Sequence, residues 1–405
     1  MRILHTSDWH LGQHFMGKTR QAEHQAFTQW LVEQVRSHGV DALLIAGDIF
    51  DTGAPPSYAR ELYNHFIVEL RATGAELVVL GGNHDSVAML GESKTLLAHL
   101  NTRVLPGVCE RLAEQLLVLH RRDGTPGAIL CGIPFIRPRD VLHSQAGQSA
   151  QDKQQSLQEA IQRHYLDLYA LAEAEREALG GLPIIASGHL TTVGASASES
   201  VREIYVGALE AFPTNAFPPA AYIALGHIHR PQKVGGLEHI RYCGSPIPLS
   251  FDEAKQQKEV LLVELDAEGL RRVTPLPVPR FQPLQSVRGA LAELPAAIAE
   301  VAPAGSAERP VWLEVVVSAD DYLSDLHLRI AKLCEGLPVE VLRIRRERSA
   351  ARAGLQRQAK ETLAELSSDE VFAQRLAGEE LAAPLQSRLQ QLYRQVARDV
   401  EEAKA

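Results

Sequence analysis

The run Ala42-Leu43-Leu44-Ile45-Ala46-Gly47-Asp48-Ile49-Phe50-Asp51 decides the fold. Five apolar residues closed by a glycine read as a β-strand. With no polar residue alternating through it, both faces of that strand must be buried. Such a strand belongs to a sheet covered on both sides, so the expected class is a layered α/β domain. Gly47 lets the chain turn tightly and delivers Asp48 at the strand's carboxyl end. Ligands gather in that crevice of an α/β sheet.

The same pattern repeats outward from this stretch. Strands are expected at 2–6, 42–46, 77–80, 128–131, 184–187, 222–225 and 260–264, with helices at 22–38, 57–73 and 157–179 between them. Five of the strands run into short polar motifs. Asp8 and His10 follow the first, Asp48 the second, Asn83 and His84 the third, His189 the fifth, and His227 and His229 the sixth. Continued extended chain would put Asp8 and His10, and likewise His227 and His229, on one side of the backbone by their i, i+2 spacing.

Each fragment alone is weak, since Gly-Asp and Gly-His are ordinary turns and Asn-His-Asp after two glycines can be an Asx turn. Five such turns at five strand ends form a constellation. Asp8, His10, Asp48, Asn83, His189, His227 and His229 offer oxygen and imidazole donors for two divalent ions sharing one carboxylate, an arrangement suited to in-line displacement at phosphorus. Without thiolate, the donors favour manganese or iron over magnesium, and zinc remains compatible by ligand type. Cys243 lies near His229 in sequence and reads as a buried strand residue.

The motif set Asp-X-His, Gly-Asp-X-X-Asp, Gly-Asn-His-Asp, Gly-His and Gly-His-X-His resembles the calcineurin-like metallophosphoesterase superfamily. The fuller wording of His5 to Gly12, Ala46 to Gly53 and Gly82 to Ser86 is similar to its bacterial DNA-nuclease subunits. The resemblance implies an α/β/β/α domain over 1–274, a small α/β capping domain over 280–348, and a linker with C-terminal helices over 349–405. It implies one ion on Asp8, His10, Asp48 and His229 and a second on Asp48, Asn83, His189 and His227, with manganese as the expected metal. Water acidified by both ions would supply the attacking hydroxide. His84 would stabilise the transition state or protonate the leaving 3′ oxygen, its ring oriented by Asp51 or Asp85. Asp51 reads equally as a helix cap.

The rest of the chain bounds this reading. At 405 residues, 45% hydrophobic and 22% charged, it is an ordinary globular composition with room for two or three domains. No apolar run is long enough for a membrane span, and the N-terminus enters a strand directly instead of a signal peptide. Four scattered cysteines suit a reducing compartment, so a cytoplasmic location is expected. The net charge of −9 argues against tight metal-free DNA binding. A metal pair would supply positive charge where a phosphate sits. The basic stretch Arg343, Arg345, Arg346, Arg348, Arg352, Arg357 and Lys360 could track phosphates.

A seam, Pro275-Leu276-Pro277-Val278-Pro279, reads as a domain break. Beyond it the pattern predicts strand 281–287, helix 291–301, strand 311–317, helix 324–334 and strand 339–344. Leu381, Leu385, Leu389, Leu392, Val396 and Val400 then form one face of a helix. The resemblance implies that ATP is bound by a partner and not by this chain, although Gly12-Gln13-His14-Phe15-Met16-Gly17-Lys18-Thr19 has the spacing Gly-x-x-x-x-Gly-Lys-[Ser/Thr]. The resemblance names an SMC-like ATPase as partner for the apolar stripe. It further implies double-stranded DNA ends and hairpins as substrates, and a homodimer within a heterotetramer. Rival readings are a phosphatase or cyclic-nucleotide phosphodiesterase with the same site, and a DNA-end scaffold with structural metals.

Overall fold

A computed structural model describes residues 1–142, 150–201, 211–318 and 325–346, together with 388–389 and 392–393. The chain divides into two compact units. The first comprises 1–286 with 301–314 and 336–343, and the second 287–300 with 315–335 and 344–405.

Two six-stranded sheets build the first unit. One runs Gly269–Pro277, Glu259–Asp266, Arg2–Thr6, Ala42–Ala46, Glu76–Leu80, Thr102–Leu105; the other runs Gln232–Val234, Leu237–Tyr242, Tyr222–Gly226, Ile184–His189, Pro126–Cys131, Leu116–His120. The central strands are parallel, Ile3 opposite Ala42 and Leu43 opposite Leu77 in the first sheet, Ile223 opposite Ala186 in the second. Parallel pairing aligns the carboxyl ends of the motif-bearing strands.

Alternation sorts each apolar strand between two cores. Leu4, Leu43, Ile45, Leu77 and Val79 pack under the helices Gln21–Ser37 and Ser57–Arg71. Ile3, Ala42, Leu44, Val78 and Leu80 face the other way, against Ile185, Tyr222 and Ala224 of the second sheet. The helix Ala150–Ala178 covers the outer face of the second sheet with Leu157, Ile161, Tyr165 and Leu168. The layering is therefore α/β/β/α, as expected. Full burial of each such side chain contributes roughly 1.5–3 kcal/mol.

The proline seam is corrected by the structure. It does not break the chain before residue 277; Pro275 and Pro277 lie within the strand Gly269–Pro277, opposite Leu261 and Glu259. The strand is at a sheet edge, where a residue lacking N–H is tolerated. Farther along, Leu284–Gly289, Val311–Val317 and Val339–Arg346 form a three-stranded sheet in that order, with helices Leu294–Val301 and Leu326–Leu333 between them in the chain. Arg343 is engaged internally: its guanidinium donates to Glu314 (2.6 Å) and Glu199 (3.5 Å) and lies over the Phe251 ring. Residues 348–360 and the stripe 381–400, apart from Leu389 and Leu392, lie outside the described residues. Among the described residues no helix is long and apolar enough to cross a membrane.

Candidate metal centre

The loops after the strands of the first sheet are zipped together by their own backbones. Asp8 N–H donates to Gly47 O (3.0 Å) and His10 N–H to Asp48 O (3.1 Å). To reach that pairing, Asp8, His10 and Asp48 adopt left-handed backbone with φ of 55°, 48° and 51°, and His227 does so at 94°. Non-glycine residues rarely sit there, at a cost of about 1–3 kcal/mol each. The expected extended geometry of Asp8/His10 and His227/His229 is thus wrong. Left-handed turns bring the side chains together instead.

Two glycines admit the close approach. A Cβ on Gly82 would sit 2.1 Å from Asp48 Oδ1, and one on Gly47, at φ 97°, would sit 2.2 Å from His189 Nδ1. Asp85 braces the same loops, its buried carboxylate accepting from the backbone N–H of Ile49 (3.1 Å), Phe50 (3.0 Å) and Gly82 (2.8 Å). Burial, with the nearby Asp48 charge, raises its pKa to about 6. Asp85 therefore does not orient His84. Asp51 does, through its main-chain carbonyl, which accepts from His84 Nδ1–H at 2.7 Å. The helix Ser57–Arg71 begins after Pro56, so Asp51 does not cap it. Its Oδ1 bonds His10 Nδ1 at 3.1 Å instead.

All seven expected ligand residues converge. Donor atoms of Asp8, His10 and His229 lie within 4.8 Å of one another, and so do those of Asp48, His189 and His227. A third grouping, not anticipated, joins His10, Asp48 and His84. Asp48 connects the sets, Oδ2 lying 3.2 Å from His189 Nε2 and 3.7 Å from His10 Nε2. Asn83 Oδ1 closes the second set, 2.8 Å from His189 Nε2 and 3.1 Å from His227 Nδ1.

The hydrogen bonding fits a cation. Three histidines spend Nδ1 on an oxygen: His10 on Asp51, His189 on the Ala46 carbonyl (2.9 Å) and His229 on the Ser200 hydroxyl (2.6 Å). In the neutral ring each then presents an Nε2 lone pair inward, the arrangement typical of metal-bound histidine. His10 Nε2 and His227 Nε2 are buried without a hydrogen-bond partner. Buried polar atoms are seldom left that way unless something absent satisfies them.

Electrostatics agree. Burial lowers the His189 pKa, but Asp48, with Asp8 and the Ala46 carbonyl, overcomes this and raises it to about 9. Burial opposes ionisation of Asp48, yet His189 holds its carboxyl well below the usual range. Without a metal, an imidazolium supplies the positive charge. His227, by contrast, is kept neutral by burial and by the His189 charge. A cation at His189 must displace its proton, so metal affinity is lost as pH falls below about 9. Manganese titrations between about pH 6 and 8 are expected to show roughly tenfold tighter binding per pH unit at this site; a flat profile would contradict the assignment.

Sequence reading missed the Asp51 and Asp85 carboxylate roles, although both lie inside the quoted motifs. Ser200 had no signal, falling in Ser196-Ala197-Ser198-Glu199-Ser200 far from its partner.

Comparison with known proteins accounts for the arrangement. Residues 1–231 match the family described as calcineurin-like phosphoesterase, and 280–380 match the one described as type 5 capsule protein repressor C-terminal domain. The chain is 55% identical over 397 residues to the SbcD component of the SbcCD nuclease of Escherichia coli strain K12, covering 97% of each chain. It is 35% identical to the SbcD component from Rhodobacter capsulatus, over 84% of this chain and 86% of the other. With its two-sheet core, clustered donors and identity along nearly its whole length, the chain belongs to the calcineurin-like phosphoesterase family, among the SbcD components of SbcCD nucleases.

Proposed function

We propose that the chain is the metal-dependent DNA nuclease subunit of an SbcC–SbcD complex, hydrolysing phosphodiesters at the centre built on Asp48. The observation that carries this reading is the convergence of imidazole and carboxylate donors whose outer nitrogens are already spent on protein oxygens. Asp8, His10, Asp48 and His229 would hold one ion, and Asp48, Asn83, His189 and His227 the other. Manganese is favoured by the imidazole-rich, thiolate-free donors. When bound, the ions supply positive charge at the phosphate and lower the pKa of a water enough for it to attack near neutral pH.

The chain's own residues do the rest. Asp48, oriented by the His84 N–H on Oδ1 (2.9 Å), faces both donor sets with Oδ2. His84 is half-buried, and its Nδ1–H is fixed on Asp51 O, which sets the orientation of its ring. It can stabilise developing negative charge or, as imidazolium, protonate the leaving 3′ oxygen. Residues 280–348 act as a capping domain that selects the DNA shape admitted. The substrates are double-stranded ends, degraded 3′ to 5′, and hairpins, opened endonucleolytically, in replication and recombination. SbcC, which binds the ATP, docks on the C-terminal helices, and two copies of this chain pair within a heterotetramer in the cytoplasm. The SbcD relatives and the four unpaired cysteines support this placement.

The test is manganese-dependent cleavage of a hairpin duplex with and without SbcC and ATP, against a mononucleotide control. Hairpin opening that requires both supports the reading, whereas phosphate release from the mononucleotide alone favours a phosphatase. Deleting residues 369–405 is expected to abolish co-purification with SbcC and leave hydrolysis of small phosphodiesters unchanged. Retained co-purification would move the docking site elsewhere.

A further inference from the structure

We infer that Ser200 and Glu253 are positioning residues for His229, setting its tautomer through a hydroxyl interposed between imidazole and carboxylate. The inference rests on the proposed role of His229 as a metal ligand.

Glu253 is fully buried and receives only donors. Oε1 accepts from Ser198 Oγ (2.6 Å), Ser200 Oγ (2.5 Å) and Ser250 Oγ (3.2 Å). Oε2 accepts from Lys258 Nζ (2.6 Å), Leu249 N–H (3.0 Å) and Ser245 Oγ (3.4 Å). A carboxylate so surrounded is the acceptor at every contact, so the Ser200 hydroxyl hydrogen points at Glu253. The Ser200 oxygen can then only accept from His229 Nδ1, 2.6 Å away. Nδ1 must carry the ring proton, and Nε2 is left as a lone pair for the Asp8–His10 side of the centre. Glu253 Oε1 itself is 3.6 Å from Nδ1, too far for a good hydrogen bond, so the hydroxyl is the working link.

The backbone is held by the same group. Lys258 Nζ, buried with Glu253, donates to the His229 carbonyl at 2.7 Å and to Ser245 Oγ at 3.0 Å. One ion pair therefore fixes His229 at both its ring and its main chain. The loop carrying Ser200 is tied down separately, Ser196 N–H donating to Gln232 Oε1 (2.9 Å) and Glu199 N–H to Asp252 Oδ2 (3.1 Å). The hydroxyl is thus placed by the fold, and its removal leaves those ties in place.

The experiment is manganese titration of the full-length chain, comparing wild type with Ser200→Ala, Ser200→Thr and His229→Ala, with the metal-free melting temperature as a folding control. Loss of an outer-shell partner of a ligating histidine costs about 10–100-fold in affinity. Ser200→Ala is expected to weaken one of the two sites by that factor and spare the other, with melting unchanged, and Ser200→Thr is expected to restore it. If Ser200→Ala binds both ions like wild type while His229→Ala loses one, the positioning role is overturned and the ligand assignment stands. If His229→Ala also binds both ions normally, the ligand assignment falls and takes this inference with it. A purely structural serine would lower melting without discriminating between the two ions.

Discussion

Asp48→Ala is expected to lose both metal ions and, with them, at least about 10³-fold of phosphodiester cleavage, since the charge stabilisation the ions supply is worth several kcal/mol. Asp48 is the carboxylate that faces both donor sets, 3.2 Å from His189 Nε2 and 3.7 Å from His10 Nε2. Without it His189 loses the partner that holds its charge, and the backbone N–H of His84 loses its acceptor. Asp48→Asn separates these effects, because its amide oxygen can still accept from His84 while the negative charge is gone. Metal content by mass spectrometry and manganese-dependent cleavage of bis-nitrophenyl phosphate measure both. An Asp48→Ala protein that still carries two ions would exclude a bridging role.

His84→Ala is expected to do the opposite with metal: keep both ions while cleavage falls by about 10²–10⁴, the usual worth of a positioned acid or base. His84 comes within 4.8 Å of the His10 and Asp48 donor atoms, close enough that a ligand role has to be distinguished from a catalytic one. Its Nδ1 is committed to Asp51 O, and its partly buried position sets it apart from the fully buried His10, His189, His227 and His229. Unchanged metal stoichiometry with a collapsed rate supports the catalytic role. Loss of an ion would make His84 a ligand, and a wild-type rate would remove it from the chemistry.

What the sequence made legible follows from where polar residues fall on strands. The strands foreseen in the two six-stranded sheets, such as Ala42–Ala46 and Tyr222–Gly226, are buried on both faces and form continuous apolar runs. All four edges of the two six-stranded sheets went unseen: Gly269–Pro277, Thr102–Leu105, Gln232–Val234 and Leu116–His120. An edge strand has fewer neighbours to satisfy, so it tolerates prolines, charges and short lengths that erase the pattern. Leu237–Tyr242, next to an edge and carrying Glu238, His239 and Arg241, was missed for the same reason. Within the site the donor residues that the fold brings together were legible because a cation needs particular donor atoms. The backbone that delivers them was not. Left-handed φ at Asp8, His10, Asp48 and His227 is a tertiary compromise that local propensity does not predict. Supports such as the Ala46 and Asp51 carbonyls are invisible by nature, since any residue type carries one.

The two sheets divide the donors between them: Asp8, His10, Asp48 and Asn83 follow strands of the first, His189, His227 and His229 strands of the second. The groups Asp8–His10–His229 and Asp48–His189–His227 each draw donors from both sheets, whose separation is set by the apolar layer of Ile3, Leu44, Val78, Ile185 and Ala224. That layer acts as a spacer gauge. A methyl lost or gained there, far from any phosphate, alters the span between the two jaws, and ion occupancy reads out the tolerance to which the core is packed.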